Sequence, residues 1–306
     1  MSSVQKWFWF TRVLAIVTVL VLFVALWFSG KQTLSRLSAF VQDGVFFESF
    51  WDWLSVYWVL SVAALGFFVV WWAQRRWLEL FYRDHLQTSL NERGAKTRLL
   101  SAKEATQAFV QGFSSDLWPR AVPVRFSRGV QMSTSDDLDV FMAPVKVSVG
   151  DDGDSSSAVW NGLAVGVVLP NVVDAGRVCV LPRGRVSYDR FVRLPSEYER
   201  FETLSSELDR ACSFHLVDPL MGRVLFNPKR IVDLQDLVAT SAGRIKRLPH
   251  WSFDGQRRLL FVFSVDNIGT SPRLLSSPKQ VQSIVTNTEN ALMMSIKTAR
   301  IFASRA

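Results

Sequence analysis

The basic and aromatic residues between positions 229 and 258 are the side chains whose types and spacing could best support chemistry. Cations interleaved with aromatic rings can grip phosphate, in lipid headgroups or in single-stranded nucleic acid. The cations expected to contact anionic lipid are Arg244, Lys246, Arg247, Arg257 and Arg258. They surround Trp251 and Phe253 in a predicted hairpin. An ordinary solvated face, with its rings turned into the core, is the simpler interpretation, and nucleic acid is the least favoured ligand.

Catalytic motifs give no alternative site. The sequence contains no GxSxG, HExxH, GxxxxGKS/T or GxGxxG motif. Cys212 and His215 are three residues apart on one local segment, which favours a core thiol beside a surface histidine over a catalytic pair. Gly162 and Gly166 lie inside strand-like sequence, where a phosphate-cradling loop is not expected. The sequence therefore predicts no cofactor and favours a non-enzymatic protein over an enzyme.

Acidic and thiol residues do not indicate a metal site either. Asp151, Asp152 and Asp154 lie in a polar, turn-rich stretch that lacks the twelfth-position Glu of a calcium loop, so a solvated hairpin loop is favoured. Cys179 and Cys212 are far apart and have no CxxC spacing, which is typical of reduced core thiols and not of a disulfide framework.

Two uncharged stretches predict the elements that would position the basic face. Residues 13–30 and 53–74 carry no charged side chain, and a helix of about 20 residues crosses a bilayer core of roughly 30 Å. We therefore expect a two-helix transmembrane hairpin over 1–76. The residues expected at its membrane interfaces are Trp51, Trp53, Trp71, Trp72, Arg75, Arg76 and Trp77.

The distribution of basic residues predicts the orientation of this hairpin. Lys and Arg are sparse between the two stretches and frequent after the second one. Under the positive-inside rule, both termini are expected in the cytoplasm. The net charge of +8 suits a protein held near anionic lipid, although nucleic-acid binding could give the same balance.

The remaining chain is predicted to form a domain of helices and strands. Apolar spacing indicates a juxtamembrane helical stalk over 77–118, and Ser101 with Glu104 matches a capping box that would start a helix. From 119 to 275 apolar residues often alternate with period two, which is typical of strands in a mainly antiparallel sheet. A C-terminal helix is expected over 276–306. The predicted fold class is α+β, with the membrane hairpin followed by a cytoplasmic mixed α/β domain.

Local signals subdivide that domain. Pro219 and Pro228 divide a predicted helical region over 208–238, because proline removes a backbone donor and clashes with the preceding turn. Asp254–Gly255 is a hairpin-turn signal between two apolar strands. A short strand is predicted over 191–194, followed by a helical turn.

Short motifs spread along the chain resemble a known family. They are SDDL at 135–138, WNGL at 160–163, YERFE at 198–202, DPLM at 218–221, SFDG at 252–255 and FVF at 261–263. Over residues 75–268 their order resembles the bacterial two-pass membrane proteins that carry the domain of unknown function numbered thirty-one thirty-seven. The resemblance implies an α+β domain that lies in the cytoplasm and is anchored to the bacterial inner membrane. It supplies no catalytic residues.

The predicted function is that of a non-enzymatic scaffold or regulatory subunit of a membrane complex. Folding and docking explain the anchor, the α+β module and the terminal helix. No further group of residues in the sequence has the types and spacing of an active site. The expected partners are the lipid bilayer, anionic headgroups, and a protein partner or a second copy of the chain. The alternatives are a membrane-bound enzyme with an unrecognised active site, and a lipid- or nucleic-acid-binding module.

Overall fold

The chain divides into two units, and all of the described strands belong to the second. The computed structural model describes residues 96–113, 116–119, 123–148, 159–173, 176–184, 188–189, 191–241, 248–264 and 278–304, with short helical pieces between 9 and 72. The first unit contains Met1–Asp84 and Arg273–Ser276. The second contains His85–Pro272 and Ser277–Ala306.

The predicted membrane anchor is contradicted. The two stretches 13–30 and 53–74 lie mostly outside the described residues, and the longest helical piece described within them is 64–69. Crossing a bilayer core takes about 20 helical residues. No helix among the described residues is long and apolar enough to cross a membrane. This finding corrects the predicted hairpin over 1–76 and the predicted two-pass, inner-membrane localisation. An uncharged run meets a length criterion, but it does not by itself fix one continuous helix.

The second unit is built on one antiparallel sheet. Its ten described strands are β1 (Lys96–Leu100), β2 (Val124–Phe126), β3 (Gly129–Ser133), β4 (Asp139–Ser148), β5 (Val159–Val168), β6 (Val178–Pro182), β7 (Glu199–Phe201), β8 (Cys212–Leu216), β9 (His250–Phe253) and β10 (Arg258–Ser264). They lie in the order β1-β3-β4-β5-β10-β9-β6-β8-β7, and β2 pairs with β4. The described chain is therefore mostly a large antiparallel sheet with a few helices, which corrects the predicted mixed α/β class.

Helices cover both faces of this sheet. They are α1 (Ala102–Gln107), which continues as a π-helical turn (Ala108–Gly112), α2 (Ser206–Ala211), α3 (Pro219–Leu225), α4 (Pro228–Ser241) and α5 (Pro278–Ala303). Phe109 of the π-helical turn stacks on Phe126 of β2, with 4.9 Å between ring centroids. We call that side the α1 face. On the opposite side, the α5 face, Phe302 contacts the rings of Trp251 and Phe253.

Strand β10 shows why the sheet needs helices on both of its faces. Leu260 and Val262 belong to the buried cluster on the α1 face. Phe261 points the other way, toward Trp251 on the α5 face. Because side chains alternate across a strand, an apolar run such as 259–263 is buried only if both faces of the sheet are covered. All five of these side chains are buried.

Long-range pairing explains the elements that local patterns predicted wrongly. Lys96–Leu100 is a strand inside the predicted helical stalk, and Cys212–Leu216 is a strand inside the predicted helical region. Each is held by partners distant in sequence, β3 in the first case and β6 and β7 in the second. No strand forms over 191–194, and the next strand is Glu199–Phe201. Tertiary pairing overrides propensity in such short segments.

Elements with their own local chemistry form as predicted. The Asp254 carboxylate accepts the backbone N–H groups of residues 256, 257 and 258, which closes the β9–β10 turn. Gly255 there has φ +85°, a conformation that favours glycine. Ser101 and Glu104 form the predicted capping box at the start of α1. The C-terminal helix is also confirmed, as Pro278–Ala303.

Candidate functional site

The predicted basic face is only partly within the described chain. Arg244, Lys246 and Arg247 lie outside the described residues. Arg257 donates from Nε to the carbonyl of Leu169 and from Nη2 to that of Pro170, each at 2.9 Å. Arg258 is exposed at the start of β10. Arg257 therefore ties the hairpin to the end of β5, and this engagement leaves it less available to a ligand.

The predicted membrane-interface residues fall in the first unit. Trp71 and Trp72 belong to a short helical piece, and 48% and 44% of their surfaces are exposed. The other members of that set lie outside the described residues: Trp51, Trp53, Arg75, Arg76 and Trp77. Within the described residues, the structure places only Trp71 and Trp72 of this set.

A polar cleft on the α1 face has the residue types of an active site but not a free reactive group. Tyr198 donates its hydroxyl to Asp116 at 2.7 Å, and Arg177 bridges Asp116 at 3.5 Å and Glu197 at 2.5 Å. Burial, followed by the hydrogen bond to Asp116, raises the pKa of Tyr198. The phenol stays protonated near neutral pH, and the charged groups of Asp116, Arg177 and Glu197 are already paired with one another. The cleft is better explained as a structural network.

The buried histidine and thiols are also parts of the core. His250 contacts the Asp189 carboxylate through Nε2 at 2.7 Å, and burial lowers its pKa although Asp189 acts in the opposite direction. Burial raises the pKa of Cys179 and raises that of Cys212 to about 12. Thiols in this state are poor nucleophiles. Cys212 and His215 lie at positions of opposite parity on β8, so their side chains point to opposite faces of the sheet.

A gap in the row of strands beside β2 provides a different kind of site. Strand β1 pairs with β3 as far as Leu100 opposite Gly129. Ser101 then caps α1, and the chain leaves the plane of the sheet. Beyond Leu100, a longer β1 would lie alongside Val124–Phe126, but none of the described strands occupies that place. Among the described strands, β2 pairs with β4 alone. No strand in the described part of the chain pairs with the other edge of β2, which leaves that edge open.

The hydrogen-bond register shows which backbone groups point to the open edge. Ser127 donates its N–H to the carbonyl of Pro144 at 2.9 Å, so the position next to β2 bonds toward β4. Antiparallel partners alternate between bonded and non-bonded pairs. Arg125, two residues earlier, must then bond toward β4 as well. The N–H and C=O groups of Val124 and Phe126 point away from β4, into the gap.

A groove runs between this edge and α1. One side of the groove is α1 with its π-helical turn, and the other is β2; its described lining residues are Ala102, Lys103, Thr106, Gln107, Val110, Gln111, Val124, Arg125 and Phe126. The cavity between them has a volume of about 700 Å³ and is open to solvent. Val110 is 48% exposed at this wall, whereas Phe109 and Phe126 are buried behind it. The helix is thus fixed by ring packing and still presents an apolar residue to the groove.

The charge at this edge is positive. Arg125 and Lys146 are directly opposite each other on β2 and β4, and both are exposed. None of the described lining residues of the groove is acidic. The nearest acid on α1, Glu104, is occupied by Arg98 and by the capping box. Basic side chains that lack a described carboxylate partner make this edge of the sheet attractive to an anionic group.

The sequence carries signals for parts of this groove but none for the groove itself. The capping box and the alternation of Val124 with Phe126 are such signals. The position of Leu100 opposite Gly129 depends on the register of β1 against β3, which has no local signal. No family model, curated protein or solved structure matches the chain. The resemblance to the thirty-one thirty-seven family stays a prediction based on short motifs.

Proposed function

We propose that this chain is a non-enzymatic binding subunit that holds an extended segment of a protein partner by strand addition at β2. The observation that carries the proposal is the open edge of Val124–Phe126 beside the groove of α1. An edge of this kind presents unpaired N–H and C=O groups, which are the groups that an incoming strand uses.

The backbone geometry supports this mode of binding. Val124 and Phe126 together offer two donors and two acceptors toward the gap, spaced as in an ordinary ladder. An added strand would continue the row of β1, at the usual spacing of about 4.8 Å from β2. Its side chains would alternate between the two faces of the sheet, and those on the α1 face would meet Val110. Main-chain bonds would supply affinity and α1 would supply selectivity.

The shape of the groove favours a polypeptide over a small molecule. Small-molecule pockets usually enclose most of the ligand. The groove lies between a helix and a strand and is open to solvent, so a small molecule in it would keep much of its surface exposed. An extended segment fits that shape because it needs an open path at both ends.

The proposal is tested with peptides added to the full chain. Fluorescein-labelled nine-residue peptides alternate Val with one other residue type, which is Glu, Gln or Lys in three versions. Four backbone hydrogen bonds of about 1 kcal/mol each and two buried valine side chains of about 2.5 kcal/mol each, less about 4 kcal/mol for association, leave about 5 kcal/mol. This corresponds to a Kd on the order of 0.1 mM for the best peptide. Fluorescence anisotropy measures it.

A backbone-blocked peptide is the control. It has the same sequence as the best binder, but the amides on one edge are N-methylated so that this edge cannot donate. We expect at least a tenfold loss of affinity for this peptide. The proposal fails if no version binds at about 1 mM, or if the methylated peptide binds as well as its parent.

A further inference from the structure

Arg125 gives the open edge a charge preference. Phe126 is buried on the α1 face, so Arg125, the preceding residue of the strand, points to the α5 face and is exposed. Its direct neighbour on β4 is Lys146, which is exposed on the same face. Like charges directly opposite each other across a ladder are destabilising. The described part of the chain places no carboxylate in an ion pair with either side chain.

An added strand would place a third side chain beside Arg125, so that this side chain, Arg125 and Lys146 would lie in a row across the sheet. Since Arg125 bonds toward β4, it forms a non-hydrogen-bonded pair with any strand on its other side. Such pairs bring the two Cα atoms to about 4.5 Å, the closer of the two antiparallel spacings. The residue opposite Arg125 therefore lies in direct contact with a guanidinium that has no described acidic partner.

We infer that the segment held at β2 carries an acidic side chain opposite Arg125, with an apolar residue on each side of it. This inference rests on the proposed function and names its ligand class. The acid completes the row of Lys146 and Arg125. The flanking residues turn to the α1 face, where Val110 and the half-buried Val124 offer apolar contacts. The ligand pattern is apolar, acidic, apolar in an extended conformation.

The same charges disfavour the two other occupants of an open edge. A second copy of β2 paired antiparallel and centred on Arg125 would place two arginines opposite each other. A basic segment would add a third cation to the row. Arginine and lysine at a sheet edge commonly protect it from pairing with copies of itself, and here the same device selects an acidic partner.

The charge series of peptides tests this inference. In the parent chain at low salt, the Glu peptide is expected to bind at least tenfold more tightly than the Lys peptide, with the Gln peptide between them. The difference should shrink in 1 M salt because surface charges are then screened over about 3 Å. In the Arg125→Glu variant the order should reverse, since Glu is tolerated opposite Lys146. Lys297→Gln, which removes one exposed charge on α5, should leave the parent order unchanged.

The outcomes separate this inference from the function on which it rests. Equal binding of the three peptides, with loss of all three on backbone methylation, would overturn the acidic pattern and leave strand addition standing. Absence of binding by every peptide would overturn both. A dimer of the full chain in sedimentation, dissociated by a change at β2, would replace the acidic partner by a second copy. An order of Glu over Gln over Lys that reverses in Arg125→Glu supports the inference.

Discussion

Replacing Val124 by proline is expected to weaken binding of the Glu peptide by at least about tenfold while changing the free energy of unfolding by less than about 1 kcal/mol. Proline removes the N–H that points into the gap, and its fixed φ is compatible with an edge strand. The bonds toward β4 come from Arg125 and from Ser127, whose N–H reaches Pro144. They are untouched by the change. Anisotropy titration and urea denaturation of the full chain measure the two effects.

Val124→Ala is the matched control, because it shortens the same side chain but keeps the N–H. We expect it to lose only the apolar contact of the two missing methyl groups, and so to bind more tightly than the proline variant. If alanine and proline weaken binding equally, the side chain and not the backbone makes the contact. If Val124→Pro binds like the parent chain, the β2 edge is not where the peptide is held.

Arg230→Ala is expected to destabilise the second unit by about 3 kcal/mol or more. Arg230 is 6% exposed and donates to the carbonyls of Leu225, Phe302 and Ser304 at 3.2, 3.3 and 2.9 Å. These carbonyls lie at the C-terminal ends of α3 and α5, which have no further turn to bond them. Each carbonyl left buried without a donor costs about 1–3 kcal/mol. A cation beside these helix ends is also favourable.

Two further variants show which interactions of Arg230 account for the expected loss of stability. Arg230→Met keeps most of the packing over the Phe302 ring, which lies 5.9 Å from the guanidinium, but removes the donors. It should recover only part of the loss. Lys229→Ala, at the exposed neighbouring position, should stay within about 0.5 kcal/mol of the parent chain. Urea denaturation compares the four proteins, and equal stability of Arg230→Ala and Lys229→Ala would show that the bonds to the helix ends contribute nothing.

The sequence predicts those elements that carry their own chemistry. The turn at Asp254–Gly255 forms because one carboxylate accepts three backbone donors and glycine tolerates the positive φ. The start of α1 is predictable since Ser101 and Glu104 satisfy each other's backbone groups. In both cases the interacting residues are within four positions of one another, so a local pattern contains the whole cause.

The elements that the sequence does not predict depend on distant partners. Cys212–Leu216 becomes a strand because β6 and β7 pair with its two edges. The groove exists since β1 stops opposite Gly129, which no pattern in residues 96–126 reveals. The predicted membrane hairpin is wrong for a related reason, since the length of an uncharged stretch is a local property, and no helix among the described residues is long and apolar enough to cross a membrane. Of the predicted basic face, Arg257 bonds backbone carbonyls, whereas Arg244, Lys246 and Arg247 lie outside the described residues, so lipid contact at this face stays a prediction.

Residue-resolved amide hydrogen exchange of the full chain, with and without the Glu peptide, tests strand addition most directly. The N–H groups of Val124 and Phe126 point into the gap, whereas that of Arg125 points toward β4. At saturating peptide we expect exchange at Val124 and Phe126 to slow by about tenfold or more, with little change at Arg125. This alternating pattern is specific to a new strand on one edge. Unchanged exchange at Val124 and Phe126 while the peptide is bound, or equal slowing at all three residues, would contradict the account.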